Sequence, residues 1–211
     1  MELTNAQTAT VTIVYLSSLL PLFILLGLRL ANKLPNWILA VYIGGFLACA
    51  IGWEIWLTYG LIDGLDVNSR RPDALNAAIP IHINWILNSL ADASVIGLFG
   101  VFLVWLSYGK SDRAFRQWHW GAFFILSVWF IGQNVFVELY IYQLQLAEGL
   151  RLSWAPLIPT GPWYNPTLFQ FGDKTLQLQT QLPWLLMTPI YYGLLIKLYR
   201  VYGEKPAAAR V

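Results

Sequence analysis

Residues 48–60 read ACAIGWEIWLTYG, and they set a carboxylate inside a run of apolar side chains. Glu54 stands among Ile51, Trp53, Ile55, Trp56 and Leu57, within a stretch over about 37–60 that carries no other charge. A bilayer-spanning helix needs ~20 such residues, so this stretch reads as a transmembrane segment. A bare charge at that depth costs ~3 kcal/mol on insertion scales. The fold must therefore supply Glu54 with company.

The rest of the chain agrees with the class. Of 211 residues, 57% are hydrophobic and only 11% are charged, against about 25% charged in an average soluble domain. Mean hydropathy is +0.55. Runs over about 10–31, 37–60, 82–107, 119–145 and 177–200 each clear the ~18-residue threshold. The expectation is an all-α integral membrane protein, residues 1–211 forming one transmembrane domain of five helices. The first run is not read as a cleaved signal peptide, because it lacks a basic start and a small-residue cleavage site. Cys49 is the single cysteine, which excludes an intramolecular disulfide and a thiolate metal cluster.

Basic residues give an orientation. Arg29, Lys33, Lys110, Arg113, Arg116, Lys197, Arg200, Lys205 and Arg210 fall on one side of the five runs, and Arg70, Arg71, Arg151 and Lys174 on the other. The positive-inside rule then sets the N-terminus outside, the C-terminus in the cytoplasm and both long connections outside. The membrane is a bacterial inner membrane or an endoplasmic reticulum membrane.

In that frame Glu54 lies ~6 residues, or about 9 Å, from the outer end of the second run. The third run carries Asn84, Asn88 and Asp92 at i, i+4 and i+8, on one helical face. The fourth carries Gln133, Asn134 and Glu138, and the fifth opens with Gln177, Gln181 and Trp184. Four helices thus offer acids or amides at one depth, where polar groups turn toward one another rather than to lipid. Glu54, Asp92 and Glu138 have no Lys or Arg in the same layers of these runs. Three such carboxylates cannot all stay ionised in a low dielectric, so one or more is expected protonated and held by Asn and Gln. A neutral acid beside an ionised one is an acid/base pair. Trp53, Trp56, Trp85, Tyr140 and Trp184 stand around it, and their π faces attract cations. Acids and aromatics in an apolar cavity suit carbocation chemistry: an acid protonates an alkene or epoxide, rings stabilise the cation, and a base removes another proton.

The plainer readings are that Glu54 hydrogen-bonds a neighbouring helix, that Asn84 and Asn88 join helices, and that the tryptophans pack or form interfacial belts. His82 and His119 fall at run ends, His82 as a further substrate-contact candidate. Retinal chemistry lacks a mid-membrane Lys, bis-His haem lacks two His at one level, and the motifs of nucleotide phosphate loops and serine hydrolases are absent. Nothing in the sequence calls for a cofactor, a metal or nucleic acid.

These residues resemble the emopamil-binding-protein (EXPERA) family of sterol isomerases and sigma-2-type receptors. The similarity rests on "GWE" (Gly52, Trp53, Glu54), "LADASVIGLFG" (Asp92, Ser94), "GQNVFVELY" (Gly132, Gln133, Glu138, Leu139, Tyr140) and "QLPWLLMTP" (Gln181, Trp184, Pro189). It departs at Ala50, where the family has His, at Gln181, where it has Asn, and in a longer final connection. "CAIGWEIWLTYG" is also similar to the Trp-Glu motif of integral-membrane meroterpenoid cyclases, which usually have seven spans. Both resemblances imply an EXPERA-like bundle or related site that isomerises or cyclises a terpenoid or sterol-like lipid without a cofactor. They imply Glu54, Asp92 and Glu138 as catalytic acids and bases, with Trp53, Trp85, Asn88, Asn134, Gln181, Trp184, Tyr140 and His82 at the substrate. The alternative is a non-enzymatic sterol- or lipid-binding protein or a small subunit of a larger membrane complex. The sequence allows, without requiring, an oligomer. Residues 147–176, rich in Trp and Pro, are expected to form an ordered lid with residues 63–80 beside it.

Overall fold

The computed structural model describes residues 2–61, 65–145, 166–172 and 174–203. It is mostly helical, and among the described residues four helices are long and apolar enough to cross a membrane. These are α1 (Asn5–Leu30), α2 (Asn36–Tyr59), α3 (Ile81–Ser107) and α4 (Trp120–Tyr142). A fifth long helix, α5 (Leu178–Tyr202), falls outside that set. Its first turns hold Thr180 and Gln181, its last turns hold Lys197 and Arg200, and Pro183 and Pro189 lie inside it.

The helix ends follow local chemistry. α1 starts earlier than hydropathy alone suggests because Thr4 and Gln7 form a reciprocal cap: the Thr4 hydroxyl accepts from Gln7 N–H at 3.2 Å and Gln7 Oε1 accepts from Thr4 N–H at 2.9 Å. That arrangement satisfies two of the four donors a helix start leaves open. α2 and α3 each follow a proline, Pro35 and Pro80. α2 stops at Gly60, whose φ of 58° is the left-handed geometry favoured by glycine.

α3 is central, packing on α1, α2 and α4, and α5 packs on both α4 and α2. At one end of the bundle Trp37, Val41, Val104, Leu126, Phe130 and Leu195 form a dense core. The short helix Arg113–Arg116 closes that end. Its Phe115 is fully buried against Trp37, with ring centroids 5.1 Å apart. The Tyr192 hydroxyl donates to Ala114 O at 2.7 Å and accepts from His119 N–H at 3.1 Å.

The other end is more elaborate than the all-α expectation. Residues 65–80 fold into two short helices, Val67–Arg70 and Asp73–Ala78, with Leu75 and Ile79 fully buried. Ile79 packs with Val14 and Leu87. Residues 167–177 form an antiparallel hairpin, β1 (Thr167–Phe171) and β2 (Lys174–Gln177), turning at Gly172 with φ 63°. The expected lid over 147–176 therefore lies outside the described residues except for this hairpin, whose first strand is exposed along its length.

Candidate functional site

All three acids of the spanning helices sit in π-helical turns. Glu54 closes the turn Ala50–Glu54 in α2, Asp92 opens Asp92–Leu98 in α3, and Glu138 lies in Val137–Tyr142 of α4. A π turn inserts one residue into a helix, and such bulges gather at functional sites. It also disturbs the regular ladder, so nearby carbonyls take outside donors. Trp85 Nε1 donates to Ala50 O at 2.8 Å, and Trp129 Nε1 donates to Ile96 O at 3.0 Å. Each π turn of α2 and α3 is thus tied to an indole of the next helix.

The turns of α2 and α3 face a cavity of about 730 Å³, inside the ~300–1,000 Å³ range of small-molecule sites. Glu54 and Asp92 both line it, and Ser17, Asn88, Gln133, Asn134, Gln145 and Thr180 are further polar walls. Its aromatic walls are Trp53, Trp56, Trp129, Phe136, Tyr142 and Trp184. Trp53 and Trp184 meet edge to face at 5.4 Å. Trp53 Nε1 also donates to Asp92 Oδ2 at 2.8 Å, so α2 holds the α3 acid in place.

The two acids differ. Asp92 is half-buried and accepts the Trp53 bond. Glu54 is only 4% exposed, and its Oε2 is buried with no hydrogen-bond partner among the described residues. Asn88 lies within hydrogen-bonding reach of the Glu54 carboxyl, and Asp92 and Arg70 are its charged neighbours.

Glu138 takes another role. It is fully buried and absent from the cavity wall. Its Oε1 accepts from Gln177 N–H at 3.0 Å, and its Oε2 accepts from Thr180 Oγ1 at 2.5 Å and Gln181 Nε2 at 2.7 Å. Asn134 Nδ2 completes the cluster by donating to Gln181 Oε1 at 3.0 Å and Thr180 O at 2.9 Å. A carboxylate satisfying donors at a helix start, where the dipole is positive, anchors that start. The expectation that Glu138 and Gln181 line the cavity is corrected accordingly: they form the joint between α4 and α5 behind it.

Three other candidates also lie off the cavity wall. Tyr140 is 44% exposed, stacks on Phe136 and has Lys174 Nζ 4.3 Å above its ring. His82 is exposed and shares a 2.9 Å hydrogen bond with Tyr59. Trp85 is spent on the α2 turn. Asn84, on the same expected face as Asn88, instead meets Arg71 at 3.0 Å and Thr58 at 3.4 Å.

Arg70 and Arg71 are what sequence reasoning missed. Assigned to an outer loop, both fold back and are about 5% exposed or less. Arg71 binds Asn84 Oδ1, Ile79 O and Asn76 Oδ1, tying the connection to α3. Arg70 donates to Leu57 O and lies within electrostatic reach of Glu54. Burial pulls the Arg70 guanidinium below its usual range, against the opposing pull of Glu54, Asp66 and Tyr142. Burial, then repulsion from Arg70, brings Arg71 down to about 10. Tyr142, Trp129 and Thr180 were missed as wall residues; Tyr142 follows Glu138 by four, a spacing that could have flagged it.

Among the described residues no three His, Cys, Asp or Glu side chains gather as metal ligands would. Compared with known protein families, curated proteins and solved structures, the chain gives no match.

Proposed function

We propose that this chain is a membrane-embedded isomerase or cyclase that rearranges a terpenoid or sterol-like lipid by acid-initiated carbocation chemistry. The observation that carries the reading is that Glu54 and Asp92 line one apolar, Trp-walled cavity from adjacent π turns. Glu54, with an oxygen lacking a partner, is the acid; Asp92, steadied by the Trp53 indole, is the base. Glu54 gives its proton to one alkene carbon, or to an epoxide oxygen, and a C–H or O–H bond forms. The adjacent carbon becomes a cation facing Trp53, Trp56, Trp129 and Trp184. The Asp92 carboxylate removes a proton from another carbon and an alkene forms there. No electrons are gained or lost, and the proton returns from Asp92 to Glu54 by exchange with water. Pairs of carboxyls whose surroundings separate their protonation states act in this way.

In the same reading α5 is the fifth span, the N-terminus is outside and the Arg113–Arg116 side is cytoplasmic. The cavity then opens in the outer leaflet. The kinship with the EXPERA bundle is part of the proposal, resting on the quoted motifs. The test is turnover in deuterated water by the purified protein, on lipid extracted with it and identified by mass spectrometry. A product carrying deuterium at one carbon is expected from an alkene, and one in which the epoxide oxygen has become a hydroxyl is expected from an epoxide. A bound lipid recovered unchanged and unlabelled after long incubation would make this a lipid-binding protein instead.

A further inference from the structure

The hairpin of β1 and β2 stands apart from the cavity, with none of its described residues on the wall. Its pairing sorts its side chains onto two faces. Phe169 stands opposite Leu176 and Phe171 opposite Lys174, so these four share one face. Gln170 opposite Thr175 makes the other, where Gln170 Nε2 donates to Gly172 O at 3.2 Å. One face is therefore apolar but for Lys174, and the other is polar. The apolar face is left open on the β1 side: Phe169 is 56% exposed and Phe171 61%.

Two contacts fix how the hairpin lies on α4. Gln177 N–H donates to Glu138 on the buried side of that helix, and Lys174 Nζ sits over the Tyr140 ring on its exposed side. β2 advances ~10 Å between those two residues, whereas Glu138 and Tyr140 differ by only about 3 Å along the helix axis. The strand therefore crosses α4 instead of following it. It carries the turn at Gly172 out past the exposed side, level with the last turn of the span Trp120–Tyr142. With the apolar helices crossing a bilayer, we propose that the hairpin is an interfacial anchor, lying near the plane of the membrane surface with Phe169 and Phe171 among the lipid chains just beneath the headgroups. Three observations select lipid as the partner. The apolar face continues, through Lys174 and Tyr140, the exposed ridge of Phe124, Val128 and Phe136 on α4. β2 ends at Gln177 and α5 begins at Leu178, so no linker lets the hairpin leave that level. An in-plane element with one apolar and one polar face partitions to this boundary, where aromatic rings gather and a lysine stem lies on apolar surface with its ammonium in the polar layer. The inference rests on the spanning helices and not on the chemistry proposed for the cavity.

The test uses the full chain in phospholipid nanodiscs, with nitroxides on the single cysteines of Phe169→Cys, Gln170→Cys and Phe171→Cys in a Cys49→Ala background. Val128→Cys serves as the reference on the α4 ridge. Collisions with oxygen, which dissolves in lipid, are compared with collisions with a water-soluble nickel chelate. The ratio is expected to be several-fold higher at 169 and 171 than at 170, and to approach that at 128. A second measurement needs no substitution: a phospholipid with a diazirine on its acyl chain close to the headgroup is expected to label Phe169 and Phe171 of the unsubstituted chain and to spare Gln170 and Thr175. Nickel-accessible labels at 169 and 171 beside an oxygen-accessible 128 overturn the anchor and leave the spans in place. Labels at 169 and 171 shut off from both reagents also overturn it, in favour of a protein partner on β1. A nickel-accessible 128 removes the spans and the anchor with them. None of these readouts depends on turnover.

Discussion

The end of the bundle around Phe115 and Tyr192 and the end around Glu54 and Asp92 are made from the same five helices and are both rich in aromatic rings, yet one is filled and the other hollow. In the filled end, Gly100 lets α3 approach Leu126, Trp129 and Phe130 closely, and Trp37, Phe115 and Tyr199 interlock. In the hollow end the π turns of α2 and α3 widen the helices where the filled end has regular turns. Lipid offers helices no hydrophobic drive to associate, so each end needs its own adhesive. The filled end uses dispersion between many atoms in contact. The hollow end uses a few directed bonds: Trp85 to Ala50, Trp129 to Ile96, Trp53 to Asp92, and the Glu138 cluster to the start of α5. Under the proposed function, stability and chemistry are thereby divided between the two ends of the bundle.

The sharpest break of this contrast is to change the acids without changing shape. Glu54→Gln and Asp92→Asn keep size and remove the titrating proton. General acids and bases contribute typically ~10²–10⁴-fold to rate, so each variant is expected to lose turnover by that factor while retaining bound lipid. Removing an ionisable group from a buried site also removes its desolvation cost, so the melting temperature should hold or rise. Both variants failing to fold would instead make Glu54 and Asp92 structural, and the two ends would no longer differ in kind.

The converse substitution belongs to the filled end. Phe115 is fully buried among Trp37 and Tyr199, and Phe115→Ala leaves a void costing about 3–5 kcal/mol. Trp56→Ala only enlarges an existing cavity and should cost well under half of that. Thermal unfolding followed by tryptophan-independent light scattering compares the two. A Trp56→Ala loss equal to that of Phe115→Ala would mean that the cavity collapses without its walls.

Glu138 lies between these cases. Glu138→Gln places an amide N–H₂ among donors from Gln177, Thr180 and Gln181, and a buried donor left without an acceptor costs about 1–3 kcal/mol. The expected outcome is a lowered melting temperature with turnover reduced far less than in the Glu54 and Asp92 variants. A rate loss as large as theirs, at unchanged stability, would return Glu138 to the reaction.

Much of this architecture is legible in the sequence because bilayer length and hydropathy constrain it tightly. The four apolar helices begin and end near the runs that hydropathy marks, and the depth argument brought Glu54, Asp92, Asn88 and Asn134 to one level. What could not be read is local. The i, i+4 rule assumes a regular helix. It holds from Asn84 to Asn88, which lie in a regular stretch of α3, but one turn along the axis takes Asn84 away from the cavity to Arg71 and Thr58. Glu54 and Glu138 both sit in π turns, and their different fates come from a neighbour no residue pattern names: the start of α5 supplies Glu138 with Gln177, Thr180 and Gln181 as donors. Arg70 and Arg71 were assigned to water because charge in a connection normally stays there. Only the fold reveals that Asn76, Ile79 and Asn84 supply acceptors enough to bury Arg71.

The smallest effect, and the most direct probe of filled against hollow, is a single methyl group added at each end. At Gly100 a Cβ would stand 3.0 Å from Leu126 Cδ2, 3.0 Å from Phe130 Cε1 and 3.2 Å from Trp129 Cδ1. Leu126 and Phe130 are at most 2% exposed, so neither side chain has room to yield. Gly100→Ala should therefore destabilise by about 1–2 kcal/mol, in the lower part of the overpacking range, even though alanine is the better helix former. At Gly52, on the cavity wall, a Cβ meets nothing within 4 Å. Gly52→Ala should show the helix preference undisturbed, a gain of up to ~1 kcal/mol. Opposite signs in paired unfolding measurements are the expected result. Equal gains at both positions would show that α3 and α4 slide apart freely at Gly100, and that the filled end is no more tightly packed than the cavity it supports.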